Sequence, residues 1–400
     1  MIGPRAYVVA FRGVCSRSVP AFWLPKLVRP RGRPHRRRAG NYRLEVRLKT
    51  HDTSGVRFAF VFTIVAIAIL PACQSGSDEV RAAVTPPARP DLVFTRWVSQ
   101  PWIYVTSSVD PAAERRIARG RSARWSPDGN SIAYSDREVD SRIVVLNMRT
   151  GKRRLFGAGS TADWSPDGRH IAFVADAPDI VVAMVSTGVR RRIRLDEVDR
   201  ERFEIVDEDI AWSPDGRWIA FVMSASHGSS DTGGFNDLFV VRPDGSGLRN
   251  VTRGRVSDSA CPSWSPDSRR IAFAGVDWRM RRGHLQLRKL VYVIARDGQR
   301  LELLGNGFQP DWSPDGKTIA IANGSGSQCA PHYDARPSIY VMEPNGRSLR
   351  RLRAGSGPRW SRDSRKLVVE TRGGLYVVTR DSKSARRVTT NAADGDADWR

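Results

Sequence analysis

The chain is 400 residues long, 40% hydrophobic and 27% charged, with a formal net charge of +23. Its most apolar stretch, residues 58–70, is 13 residues long, too short to span a bilayer comfortably. The basic excess is uneven: residues 1–57 hold 14 Lys and Arg against Glu45 and Asp52, which accounts for about half of the net charge.

In chain order, residues 1–55 combine this charge with scattered Pro and Gly and no sustained period, and read as an unstructured basic extension. A secretory signal normally starts a chain, and here Val56-Arg57 leads directly into the apolar core, so residues 56–73 are read as a signal peptide. The upstream residues then precede the true start and need not be translated. Leu70-Pro71-Ala72-Cys73 resembles a bacterial lipobox, in which the cysteine is acylated and becomes the mature N-terminus. Cys73 is therefore the lipidation candidate, with an uncleaved anchor or ordinary secretion as alternatives. Residues 74–90 form a polar tether. An exported lipoprotein meets no nucleic acid, so Arg36-Arg37-Arg38 is not read as a nucleic-acid arm.

From residue 91 onward a repeat takes over. Trp125-Ser126-Pro127-Asp128-Gly129 returns at Trp164, Trp212, Trp264, Trp312 and Trp360, and Asp396-Ala397-Asp398-Trp399 is a final half copy. The tryptophans are 39, 48, 52, 48, 48 and 39 residues apart, the length of one four-stranded propeller blade. Pro, Asp and Gly in succession specify a tight turn between antiparallel strands. A short apolar run follows at a fixed offset, from Ile132-Ala133-Tyr134 to Leu367-Val368-Val369, and a third run such as Ile143-Val144-Val145 comes later. Basic fourth strands such as Arg154-Leu155-Phe156 close each unit.

Before the first repeat lie Leu92-Val93-Phe94, Trp102-Ile103-Tyr104-Val105 and Arg115-Arg116-Ile117, three strands without a first. The missing strand is at the other terminus, where Ala397-Asp398-Trp399 matches Ala162-Asp163-Trp164. The expected fold is all-β: a seven-bladed propeller over residues 91–400, closed by three N-terminal strands and one C-terminal strand. A six-bladed ring with frayed ends is the alternative.

These repeats resemble the WD-repeat-like propellers of the TolB family and the propeller domains of prolyl oligopeptidase and tricorn-type proteases. The resemblance implies an extracytoplasmic ring whose function sits in loops grafted on it. TolB-like proteins carry a substantial α/β domain ahead of the propeller, whereas only about 17 residues separate Cys73 from the first strand here. The Gly-x-Ser-x-Gly elbow of the hydrolase domain in those peptidases is absent from this chain.

Two regions are candidate binding sites. Long segments join the second and third strands in three consecutive blades, at residues 224–236, 275–289 and 323–338. They carry His227, His284 and His332 with Asp231, Asp277 and Asp334 nearby. Three converging histidines are a possible metal set, as in propeller lyases acting on acidic sugars, but no close His-x-His pair supports it and no metal or other cofactor is assigned. Cys261 and Cys329 fall on this same face and are a disulfide candidate in an oxidising compartment. The second region is the channel wall, where the residue before each tryptophan turns away from the buried face: Arg124, Asp163, Ala211, Ser263, Asp311, Arg359 and Asp398. Their charges are expected to pair with one another or to receive a polar ligand. The tryptophans themselves are core residues.

The expected function is a lipid-anchored, non-catalytic scaffold at the cell envelope that binds a protein or anionic envelope polymer, and the expected state is a monomer. The alternatives are a metal-dependent lyase on acidic oligosaccharides and the detached regulatory propeller of a peptidase.

Overall fold

Every Trp-Ser-Pro-Asp segment folds the same way because its side chains bond to its own backbone. The Ser126 hydroxyl donates to Asp128 Oδ1, the Asn130 amide donates to the same oxygen, and the Ser131 amide donates to Ser126 Oγ. The same three bonds recur at Ser165, Ser213, Ser265, Ser313 and Ser361. The last turn position is left-handed, with φ of 66° at Gly129 and 72° at Gly316. Partial burial works against ionisation of Asp167, yet the Ser165 hydroxyl and the Arg169 amide hold its carboxyl below the usual range.

The computed structural model describes residues 89–136, 141–175, 179–195, 203–225, 236–281, 284–324 and 337–400. They form seven sheets of four antiparallel strands each. We number the blades from the first complete repeat: residues 121–158 make blade 1, 162–193 blade 2, 203–250 blade 3, 257–306 blade 4, 308–354 blade 5 and 356–387 blade 6. Blade 7 joins the two ends. Its innermost strand, Asp394–Trp399, pairs antiparallel with Leu92–Arg96, which continues into Trp102–Thr106 and Arg115–Arg119. The seven-bladed expectation with its 3+1 closure holds.

Closure is driven by the same apolar contacts that join every other pair of blades. Leu92, Phe94, Ala397 and Trp399 of blade 7 pack against Val368, Leu375, Val377 and Val388 of blade 6. On the other side, Val93, Ile103 and Val105 pack against Trp125, Ile132 and Tyr134 of blade 1. Burying one such tryptophan contributes on the order of 3 kcal/mol.

On the turn side, three of the five turn prolines, Pro127, Pro166 and Pro266, pack on the glycine of the following turn. A Cβ added to Gly168 would lie 3.6 Å from Pro127, and one added to Gly216 would lie 3.8 Å from Pro166. In blade 7 the innermost strand, Asp394–Trp399, is followed by Arg400. The repeat changes at the neighbouring position: blade 6 carries Arg362 where the other turns carry proline. Arg362 reaches across to the carbonyls of Ser126 and Pro127, and Arg400 Nε donates to Gly129 O at 2.8 Å. Two guanidinium groups thus tie the Trp125 turn to its neighbours across the seam.

One expectation needs correction. Residues 275–289 were expected to be a long loop, but the second and third strands of blade 4 extend through them as Arg270–Arg281 and His284–Ala295. Their antiparallel register runs unbroken from Arg270 opposite Ala295 to Arg281 opposite His284. With few turn residues before Gly283, the hydrogen-bonded ladder continues and satisfies backbone groups that a loop would leave to solvent.

Candidate functional site

The innermost strands enter the ring with a bulge. Their pairing with the second strand shifts between Arg121 and Arg124, Ala260 and Ser263, Phe308 and Asp311, and Ser356 and Arg359. The bulge is marked by a left-handed residue three positions before the tryptophan: Ser122 at φ 54°, Cys261 at 52°, Gln309 at 51°, Gly357 at 55° and Asp396 at 52°. A bulge bends its strand and re-aims a side chain. Here these residues, together with Thr161, line a cavity of about 380 Å³ at the end of the axis opposite the Trp-Ser-Pro-Asp turns. Segments joining second and third strands emerge at that same end, so the two regions singled out in the sequence belong to one face.

The residues directly before the tryptophans have a role the sequence reading did not anticipate. Asp163 Oδ2 accepts the Trp212 amide at 2.6 Å, Ser263 Oγ accepts the Trp312 amide at 2.9 Å, and Asp311 Oδ2 accepts the Trp360 amide at 2.7 Å. Asp398 Oδ2 accepts the Trp125 amide at 2.8 Å. In return, the indole N–H of Trp164, Trp264, Trp360 and Trp399 donates to the backbone carbonyl of Arg124, Ala211, Asp311 and Arg359. The wall positions therefore rivet each blade to the next. Where Arg124, Ala211 and Arg359 occupy this position there is no acceptor side chain, and the indole bond remains.

The expected charge pairing is present in part. Arg359 lies 3.6 Å from Asp311, while Arg124 pairs at 2.9 Å with Asp396, a residue of the bulge rather than of the wall. Burial is the main force on the acids and pushes their carboxyls up: Asp163 to about 6, with Asp311 and Asp398 raised as well. Amide donors from the tryptophans and the guanidinium groups of Arg124 and Arg359 oppose that rise. For Arg124, burial opposes the charged form, but Asp396 and Asp398 outweigh it and keep the guanidinium firmly protonated.

Glu370 is a cavity residue that the sequence reading did not single out. It ends the second strand of blade 6, is 7% exposed, and lines the cavity. Its Oε1 accepts the Asp396 amide at 2.6 Å. Burial first, and then the nearby Asp396 carboxylate, raise its carboxyl to about 7 against the pull of Arg359 and Arg124. The signal was in the repeat: the equivalent positions of the other blades are Thr95, Ser135, Val174, Val222, Ala274 and Ala322. Glu370 is the single ionisable residue in that series, all of whose members are buried.

The loop-face candidates are not brought together among the described residues. His227, Asp231, His332 and Asp334 lie outside them, as do Cys73 and Cys329. Asp277 stands 3.8 Å from Arg288 on the extended hairpin, and His284 opens the return strand opposite Arg281. Cys261 is disulfide-bonded at the cavity rim. Among the described residues, no group of three or more His, Cys, Asp or Glu side chains is placed to hold a metal ion.

Residues 157–331 match the family model PD40, the TolB β-propeller domain. No curated protein matches the chain. The tricorn protease superposes with a TM-score of 0.57 at 15% identity, over 78% of this chain and 36% of its own, so this chain spans about a third of that protein. An oligogalacturonate lyase from Vibrio parahaemolyticus superposes with a TM-score of 0.54 at 16% identity, over 76% of this chain and 87% of its own. The β-propeller domain of the Trilobed protease from Pyrococcus furiosus gives 0.51 at 14% identity, over 77% and 96%. That propeller has an open velcro topology, whereas here the terminal strands pair. At these identities the likeness is one of fold.

Proposed function

We propose that this chain, a seven-bladed propeller of the TolB type, is a non-catalytic binding module that works outside the cytoplasm and receives a protein partner at the bulged mouth of its channel. The observation that carries this reading is the mouth itself. Seven innermost strands contribute to one cavity, and left-handed residues at matching positions aim side chains into it rather than into the sheets. A rigid ring presenting a concave, partly charged site is suited to capturing a segment of another chain with little rearrangement of its own.

The lipobox-like segment ending at Cys73 supports a lipid anchor that would hold the propeller outside the cytoplasm on a short tether. The outermost strands suit such a setting. Arg115, Arg116 and Arg119, Arg153 and Arg154, Arg190 to Arg192, and Arg386 and Arg387 are exposed on their backs, a cationic belt that would be drawn to anionic headgroups or envelope polymers. The lyase and peptidase alternatives rest on likeness of fold alone.

Site-directed photocrosslinking in cells tests the reading. A crosslinker at Thr161 in the mouth should yield a discrete protein adduct, and one at Arg154 on the belt should not. Adducts from the belt with none from the mouth would refute the proposed site. Cys73→Ala should move the protein from the membrane to the soluble fraction, and its retention in the membrane fraction would refute the anchor.

A further inference from the structure

The mouth contains two carboxylate oxygens for which the fold supplies no donor. Glu370 and Asp396 both line the cavity, and Oε2 of Glu370 and Oδ2 of Asp396 are buried without a hydrogen-bond partner. Buried acceptors of this kind are costly to leave unpaired, most of all when charged. Their other oxygens are engaged: Glu370 Oε1 by the Asp396 amide, Asp396 Oδ1 by Arg124.

The place is built to hold an acid. Glycine at position 357 makes room for it, since a Cβ there would lie 2.6 Å from Glu370 Cδ, and a Cβ added at Gly395 would lie 3.3 Å from the same atom. The cavity lining carries three guanidinium and three carboxyl groups, and the adjoining wall adds carboxyls. Arg121, Arg124 and Arg359 line it with Asp163, Asp396 and Glu370, and Asp311 and Asp398 add two more carboxyls on the adjoining wall.

We infer that Glu370 and Asp396 form a recognition site for an organic cation, the ammonium group of a lysine side chain carried by the protein partner. The inference rests on the binding-module reading and names the chemistry its mouth selects. Ammonium brings three donors on a slender stem, which suits two acceptors at the wall of a cavity of this size. A metal ion is a poorer match, because no third acidic or histidine ligand is placed beside the pair among the described residues.

The site is also proton-sensitive. The groups facing Glu370 are Asp396 from the closing strand, Arg359 from the innermost strand of blade 6 and Arg124 from blade 1. With the Glu370 carboxyl titrating at about 7, the acceptor is charged at pH 8 and mostly protonated at pH 6. Cation binding then weakens about tenfold between those two values.

The test is a calorimetric titration of the full chain in detergent with Nα-acetyl-lysine amide, its neutral isostere Nα-acetyl-norleucine amide, and Nα-acetyl-glutamate amide. The lysine derivative should bind at pH 8 at least tenfold more tightly than either of the others, and should lose about tenfold by pH 6. Glu370→Gln should remove the preference for lysine while melting at or above the wild-type temperature at pH 8, and Asp396→Asn should remove it as well, with a lower melting temperature because it gives up the ion pair with Arg124. Equal binding of the lysine and norleucine derivatives, or an unchanged preference in Glu370→Gln, would overturn the inference. Because photocrosslinking maps the partner independently, a mouth adduct without amine selectivity would refute this site alone. Amine selectivity without any adduct would refute only the binding-module reading.

Discussion

Asp398 and Trp125 stand 273 residues apart in sequence, and the carboxylate of the first accepts the backbone N–H of the second at 2.8 Å. That single bond joins the C-terminal strand of blade 7 to blade 1 and repeats, across the seam, the rivet seen between Asp163 and Trp212 and between Asp311 and Trp360. Asp398→Ala would leave the Trp125 amide without an acceptor in a largely buried place. The expected loss is about 1–3 kcal/mol in chemical denaturation, with Asp398→Asn losing less because it keeps an oxygen at that position. Equal stability of wild type and Asp398→Ala would show that the rivet contributes nothing to closure.

Ser268 separates two roles of one turn residue. It sits at φ 57° where most turns have glycine, and its hydroxyl accepts the Asp215 amide of the preceding blade at 2.9 Å. Ser364 makes the same bond to Asp315. Ser268→Ala keeps the left-handed strain and loses the bond, so it should cost about 1–2 kcal/mol. Ser268→Gly also loses the bond but relieves the strain, and should recover part of that loss. A thermal melt in which the glycine variant is the less stable of the two would contradict this account.

Arg362 should matter only at the seam. Arg362→Ala removes its bonds to Ser126 and Pro127 and leaves the Trp360 turn intact, because Ser361, Asp363 and Arg365 hold that turn independently. Hydrogen exchange should accelerate in Leu92–Arg96 and Asp394–Trp399 and stay unchanged in blades 2 to 5. Acceleration spread evenly around the ring would rule out a local role.

Glu370 should set a pH trend in stability. Its carboxyl rises from an ordinary 4.5 to about 7 on folding, so the folded protein holds a proton that the unfolded chain releases between those values. The stabilisation is complete below pH 4.5 and is lost as pH rises to 7, on the order of 3 kcal/mol in all. Glu370→Gln should therefore flatten the curve in this window and be the more stable protein at pH 8. Asp163, raised to about 6, leaves a residual slope of the same sign in the variant. Identical pH profiles for the two proteins would mean that Glu370 is ionised without penalty.

How far the sequence could be read depends on whether the relevant force acts locally. Ser, Pro, Asp and Gly at fixed spacing bond to their own backbone, so every turn from Trp125 to Trp360 was legible, and so was the count of seven once Trp399 was matched with Leu92-Val93-Phe94. The ends of the ring could be matched because three N-terminal strands lacked a first and the C-terminal half copy supplied one, and open edges favour pairing. The extended hairpin of blade 4 was misread because Arg, His and Gln near its tip mask a ladder that only backbone pairing makes evident.

The mouth was decided by tertiary structure. No residue type announces a left-handed bulge at Gln309 or Cys261, since that conformation is strained in isolation and is held by pairing with the next strand and by the neighbouring blade. The acid at position 370 was visible as a departure from six neutral equivalents, but its meaning was not. Its raised carboxyl and unpaired oxygen arise because the ring buries it and carries Asp396 and Gly357 to it from two other strands, an effect that Arg359 and Arg124 only partly offset. Local bonding wrote the turns and the number of blades into the chain, whereas burial and the meeting of distant charges, which exist only after closure, made the site.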